Sequence, residues 1–364
     1  MILQVMMKSP FQKKLDEQLD ELSRLCRSAV NKAHRSVPLG CRADLEALGQ
    51  LGLLEEFINT ELAPAFALHY SKWGWSIELP CSLHDALSCL VEGLTRVPDA
   101  YLQAVFPSFW HAGKGPAARC EDPDFWRQVL RYPCGLNNTG EVYAEITPSS
   151  MLQSCRVQRK TVSWFSAARA LKVYEEHLPR QKEHVRIWDP SGGFGARMLA
   201  AAAWGKKYEV GVTYMACEPA SMTHGDLTRL GSALERATGS EFIPSVVLGG
   251  SEQFPAGCNF DLVFTSPPYF KTEKYFDEPG QCWRDYPVWE QWKGSYLRPT
   301  VETAKANLRS GGKLVLNTKH ETDTWVETIG SGVAIYEWPV KAGPFARVRG
   351  EANLNEHLIV WEKP

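Results

Sequence analysis

Long apolar runs are missing from this chain of 364 residues. No stretch approaches the ~18 consecutive apolar residues of a membrane span. Residues 1–14 lack a basic region followed by an apolar core, so no signal peptide is expected. Paired cysteines are missing too. The ten cysteines include no C-x-x-C, and the closest two stand eight residues apart, so the spacing of a structural zinc site is not there. The nine histidines form no H-x-E or H-E-x-x-H pattern, and no metal is expected. The thiols therefore read as reduced and mostly buried in a cytoplasmic protein; Cys217, beside an acid discussed below, reads as a small core residue at a strand end. Neither sign of charge is in excess: 40 Lys+Arg against 42 Asp+Glu leaves a net −2, which speaks against a protein that binds nucleic acid over its whole surface. Repeats and charge blocks are absent, and 44% hydrophobic with 23% charged residues is an ordinary globular composition.

The length suggests two domains, and composition shifts near residue 150. Residues 1–150 hold 14 basic and 18 acidic residues, whereas 151–364 hold 26 and 24. The first part reads as mainly helical. Ser9-Pro10 precedes a stripe from Phe11 to Val30 at helical spacing, a second stripe covers Leu45–Leu62, Ser82 caps a third with Leu83, Leu87, Leu90 and Leu94, and Asp122-Pro123 opens a fourth. This domain is expected to serve recognition, dimerisation or lid closure. The second part alternates helices (Thr161–His177, Gly195–Trp204, Trp289–Leu297) with strands (Val185–Trp188, Val210–Cys217, Ser245–Leu248, Leu262–Phe264, Lys313–Asn317) and ends in an antiparallel pair, Ala334–Pro339 with His357–Trp361. Helices alternating with buried strands predict a doubly wound α/β sheet.

The strand Val185–Trp188 runs into Asp189-Pro190-Ser191-Gly192-Gly193-Phe194-Gly195 and then a helix. Ligands of such sheets bind beyond the carboxyl ends of the strands, where glycine lets backbone approach them closely. The fit to a dinucleotide fingerprint is poor, because Met198 falls where the third glycine belongs. Asp189 at the strand end suits an ammonium or sulfonium rather than a pyrophosphate. Glu218, 29 residues on at the next strand end, is placed to accept both hydroxyls of a ribose. DPSGGFGARML resembles motif I of S-adenosylmethionine-dependent methyltransferases, and Cys217-Glu218-Pro219-Ala220 is similar to their motif II.

Asp261-Leu262-Val263-Phe264-Thr265 leads into Ser266-Pro267-Pro268-Tyr269, which resembles the [DNS]-P-P-[YFW] tetrad of the amino-methyltransferases that act on exocyclic amines of bases. Such an amine is a poor nucleophile, since its lone pair is delocalised into the ring. Acceptors around its two N–H groups localise that pair and stabilise the developing positive charge. Ser266 and the Pro267 carbonyl are the candidate acceptors. Pro267 and Pro268 stiffen the backbone and remove competing donors, and Tyr269 offers a flat face to a base taken out of its stack.

The resemblance implies a Rossmann-like methyltransferase sheet, mostly parallel with one antiparallel terminal pair, over residues 151–364, and S-adenosyl-L-methionine as cofactor. It further implies a Phe165 that packs on the methionine end of the cofactor and a Gly249–Glu252 turn at the adenine, with Glu252 the contact. The expected cofactor set is thus Phe165, Asp189, Pro190, Ser191, Gly192, Gly193, Gly195, Glu218 and Glu252, and the expected catalytic set Ser266, Pro267, Pro268 and Tyr269. The implied activity is methylation of a base amine in double-stranded DNA with the base flipped out. Serine in the tetrad favours cytosine N4 over adenine N6. RNA or another amine as acceptor, a catalytically silent cofactor-binding subunit, and a homodimer remain open. The order of motifs leaves room for a recognition domain in residues 1–150 alone. After the tetrad, Phe270–Phe276 and Trp283–Tyr286 combine aromatic and basic residues that suit stacking and phosphate contact. Arg156, Arg159, Lys160, Arg169 and Lys172, with Lys341, Arg347 and Arg349, are candidates for a phosphate-facing rim.

Overall fold

The computed structural model describes residues 37–38, 82–93, 96–113, 145–146, 162, 165–270, 273–318, 322–338 and 356–364. The helical stripes at 11–30, 45–62 and 122–130, Trp164, Lys271, and all the rim cations except Arg169 and Lys172 lie outside them. The chain forms two compact units, residues 1–78 with 114–161 and residues 79–113 with 162–364. In the first, the described residues are a short antiparallel pairing of Val37–Pro38 with Glu145–Ile146. The division expected at residue 150 is therefore not where the contacts divide the chain. A segment expected in the N-terminal domain packs as part of the second unit, to which all the element labels below refer.

That segment carries three helices: α1 (Leu83–Val91), α2 (Arg96–Val105) and α3 (Pro107–His111). Ser82 and Asp85 form a reciprocal capping box that starts α1. α4 (Ala167–His177) follows, and Asp99 of α2 accepts from the backbone N–H of Ala167, satisfying one of its orphan donors. Then come β1 (His184–Asp189), α5 (Ala196–Tyr208), β2 (Gly211–Glu218), α6 (Ser221–Thr238), β3 (Phe242–Leu248), β4 (Phe260–Thr265), α7 (Arg298–Asn307), β5 (Leu308–Thr318), α8 (Thr322–Ile329), β6 (Val333–Trp338) and β7 (Glu356–Glu362).

The strands form one seven-stranded sheet in the order 3-2-1-4-5-7-6. Pairings along 3-2-1-4-5 are parallel, while β7 runs antiparallel to both β5 and β6. This is a Rossmann-like sheet closed by an antiparallel hairpin. β4 sits at its centre, and every residue of Phe260–Thr265 is buried, as a strand covered on both faces requires. Helices cover the two faces. α5 lies close on the sheet because its run Ala200–Ala203 presents only methyl groups, all buried. On the other face Trp188, Phe254, Phe260, Trp292 and Trp325 join one buried cluster, with Trp188 stacked on Phe254 at 4.6 Å between centroids. Each such side chain contributes roughly 1.5–3 kcal/mol of burial free energy.

Asp261 opens β4 at the end away from the tetrad. It accepts from Lys182 Nζ (2.7 Å), Arg309 Nε (2.5 Å) and the Arg186 N–H (2.8 Å). Burial would raise its pKa, but these partners outweigh burial and hold it below the usual value. It ties β1, β4 and β5 together at their amino ends.

Candidate functional site

The parallel strands β1, β2, β4 and β5 deliver their carboxyl ends to one edge of the sheet, and the order reverses between β1 and β4. Doubly wound sheets bind ligands at that switch point. A single cleft there is lined by Pro190, Ser191, Gly193, Glu218 and Glu252 on one side and by Ser266, Pro268, Tyr269 and Asn317 on the other. Phe165 and Arg197 line it from α4 and α5.

The glycine loop is folded onto the end of β2. The Gly192 N–H donates to the Cys217 carbonyl at 2.8 Å. Gly193 takes a φ of 57°, which favours glycine, and its N–H donates to Glu218 Oε2 at 3.0 Å. The Ala220 N–H donates to Oε1 at 2.9 Å. Glu218 is 8% exposed, and burial pushes its pKa up to about 7 against the pull of these two donors. Each carboxylate oxygen keeps a lone pair for a ligand in the cleft. Gly195 does something else. Its φ is 77°, and a Cβ there would stand 2.6 Å from both Leu230 Cδ2 and Phe106 Cζ. Gly192 is similarly enclosed by Leu227 and Ala216. Neither glycine lines the cleft, whereas Gly193 does. The other two permit close packing of the loop against Phe106 and α6.

Asp189 is the next member of the expected cofactor set. It is 0% exposed and does not line the cleft. Its carboxylate accepts from Arg197 Nε (2.7 Å), Tyr214 OH (2.6 Å) and the Ser191 N–H (3.1 Å). Buried in this way, the carboxylate offers no face to the cleft. It neutralises Arg197 instead, whose Nη2 also donates to the Ser191 carbonyl. Burial disfavours the Arg197 charge, Asp189 more than offsets this, and the arginine's pKa is raised. Burial and the Asp189 charge push the Tyr214 and Tyr174 hydroxyls well above ordinary. The group from this cluster that reaches the cleft is Arg197, which motif reading missed. It carries the Phe165 ring, with Cζ 5.3 Å from the centroid, and Phe165 meets Phe264 of β4 edge-on at 5.9 Å.

The tetrad leaves β4 at the cleft. Ser266 is half-buried, Pro267 is buried and does not line the cleft, and Pro268 and Tyr269 do line it. Beside Ser266 stands Asn317, whose Nδ2 donates to Ser266 Oγ at 3.3 Å. Asn317 escaped the sequence reading, although a polar residue at the last position of the strand expected at Lys313–Asn317 was the available signal. Glu252 lines the cleft. Its Oε1 accepts from Tyr286 OH at 3.2 Å and its Oε2 is buried without a partner; burial raises its pKa. Tyr275, Phe276 and Trp283 from the aromatic stretch after the tetrad line the cleft as well, with Lys274 Nζ 5.0 Å above the Trp283 ring. Phe194 of the glycine loop packs on Phe109 (5.2 Å) and Tyr275 (6.0 Å), and the Gly113 N–H donates to the Tyr275 carbonyl. The segment 79–113 thus braces the glycine loop and the post-tetrad loop together. Burial pushes the Cys217 and Cys282 thiols up to about 12, so both are inert at neutral pH.

No family model and no curated protein matches the sequence. Solved structures share parts of the fold. TrmN from Thermus thermophilus is 17% identical with a TM-score of 0.37, over 55% of this chain and 49% of its own. A protein of Listeria monocytogenes described as a class I S-adenosylmethionine-dependent methyltransferase is 13% identical with a TM-score of 0.42, over 96% and 88%. The N-methyltransferase NodS of Bradyrhizobium japonicum is 11% identical with a TM-score of 0.34, over 57% and 97%. This chain thus covers about half of the Thermus protein. Likenesses at this level carry no argument about activity, which rests on the cleft.

Proposed function

We propose that this protein transfers a methyl group from S-adenosylmethionine to the exocyclic amine of a base in DNA, with cytosine N4 favoured over adenine N6. The observation that carries this reading is a Ser-Pro-Pro-Tyr turn opening into the same cleft as the buried carboxylate of Glu218. The cleft suits the cofactor. Glu218 keeps lone pairs for vicinal hydroxyls, the orphaned Glu252 Oε2 is an acceptor without a partner, and Arg169 and Arg197 are the arginines that line the cleft and answer a carboxylate. When bound, the cofactor supplies a methyl group made electrophilic by its sulfonium.

The remaining work belongs to the chain. Tyr269 gives the flipped base a stacking face, worth ~1–3 kcal/mol for an aromatic–base contact. Ser266 Oγ accepts one N–H of the amine, so positive charge on nitrogen is stabilised as its bond to the methyl carbon forms. The proton then leaves to water. Holding nitrogen and methyl in line accounts for the rest of the rate.

Full-length protein incubated with tritiated cofactor and, separately, unmethylated genomic DNA, total tRNA and protein extract tests the reading. Label in DNA, found as N4-methylcytosine on nucleoside mass spectrometry, is the expected result. Label confined to tRNA moves the substrate to RNA, and calorimetry showing no cofactor binding removes the reading altogether.

A further inference from the structure

We infer that Asn317 is a positioning residue for the transfer step, holding the Ser266 hydroxyl so that one of its lone pairs faces the target amine. The inference rests on the methyl-transfer reading above. Thr265 pairs with Leu316 in the parallel register of β4 and β5, so Ser266 and Asn317 are the next residues on adjacent strands. Both line the cleft. Asn317 is 2% exposed, and its Nδ2 donates to Ser266 Oγ at 3.3 Å.

The sheet does not need an amide here. Asn317 Oδ1 is buried and has no hydrogen-bond partner, a cost that a Leu of the same shape would avoid. The side chain next to it is spent on structure, since Thr318 Oγ1 lies 3.0 Å from Thr322 Oγ1. The contact that Asn317 does make is with the acceptor of the tetrad. A serine hydroxyl has three rotamers and a freely turning hydrogen, and left alone it presents donor or acceptor to the cleft at random. A donor fixed on one lone pair selects the rotamer and turns the oxygen toward its acceptor role. In the transfer step the N–C bond forms as the C–S bond breaks. The bonding pair goes to sulfur, and nitrogen carries two N–H bonds and a positive charge until one proton passes to water. A misdirected Ser266 at that moment points its O–H at the N–H of the amine, donor against donor.

Asn317→Leu separates this role from a structural one. It is expected to leave the thermal midpoint and the cofactor Kd unchanged, to leave the KM for unmethylated genomic DNA within about twofold, and to lower kcat by ~10–100-fold, the usual penalty for misplacing a reacting group. The decisive readout is a double-mutant cycle. In a Ser266→Ala background the same change is expected to cost less than about twofold, because Asn317 acts through Ser266. Asn317→Leu with wild-type kcat, or effects of the two changes that multiply, overturns the inference while leaving the proposed activity standing. A wild-type protein that binds cofactor but labels neither DNA nor tRNA overturns both. Should the leucine variant lose its fold, Asn317→Asp, which keeps shape and a hydrogen-bonding partner for Ser266, is expected to retain kcat within about tenfold, and a larger loss refutes the inference.

Discussion

Titrating cofactor binding between pH 6 and pH 8 tests Glu218 directly. Burial raises its pKa from 4.5 to about 7, against the N–H groups of Ala220 and Gly193. Ionised, the carboxylate accepts from two hydroxyls of a ribose; protonated, it turns one oxygen into a donor. If binding requires the ionised form, a midpoint near pH 7 makes the apparent Kd rise about tenfold from pH 8 to pH 6. The same shift has a stability consequence of opposite sense. Between pH 4.5 and 7 the folded protein holds a proton on Glu218 that the unfolded chain has lost, so stability falls as pH rises through that window, by about 3 kcal/mol at most. Binding and stability should therefore move in opposite directions across the upper part of the window. Isothermal calorimetry of S-adenosylmethionine at half-unit pH steps, beside thermal melts in the same buffers, reads both. Glu218→Gln should weaken binding at pH 8, flatten the pH dependence of Kd and abolish the Glu218 part of the melting slope. A wild-type Kd constant from pH 6 to 8, or a Glu218→Gln protein that keeps the wild-type slope, refutes the assignment of Glu218 to the hydroxyls.

Further outcomes follow from the buried cluster, the glycine loop and the tetrad. Asp189→Asn leaves the Arg197 guanidinium buried without its counter-ion, a loss of ~3–5 kcal/mol; melts should show a midpoint lowered by roughly 6–20 °C, and a variant as stable as wild type would mean that Asp189 is a ligand contact after all. Gly195→Ala combines a φ of 77° with a Cβ 2.6 Å from two side chains, and should destabilise by ~2–5 kcal/mol, whereas Gly193→Ala, whose Cβ would meet nothing nearer than 3.8 Å, should cost ~1–2 kcal/mol and act on cofactor affinity instead. Chemical denaturation of the pair checks the contrast, and equal losses would refute it. Tyr269→Ala should raise the KM for unmethylated DNA at least fivefold, as removal of a ~1–3 kcal/mol stacking face requires; an unchanged KM would remove Tyr269 from the base pocket.

The sheet was readable in the chain because each parallel strand is a short run of buried apolar residues between helical stripes, and β4, the most buried, shows it best. The tetrad and the glycine loop were readable for a related reason: a turn at a strand end is local, and its residues carry their own backbone preferences. Asp189 marks where this stops. Its place at the end of β1 follows from the sequence, but the direction its carboxylate faces is set by Arg197 on the next helix and Tyr214 on the next strand, across Asp189–Tyr214 and Asp189–Arg197 bonds that no local pattern announces. Asn317 is the same case reversed, an unremarkable residue until the β4–β5 register sets it against Ser266. Residues 79–113 show it on the scale of a segment: the Ser82–Asp85 box marks a helix start, yet what α3 braces is decided by Phe194 and Tyr275, more than eighty residues away. A residue at a strand end has two neighbouring strands and a following loop to choose from. Chemistry read from such a residue alone leaves out its partners across the sheet, which for Asp189 are Arg197 and Tyr214 and for Glu218 the N–H groups of Gly193 and Ala220.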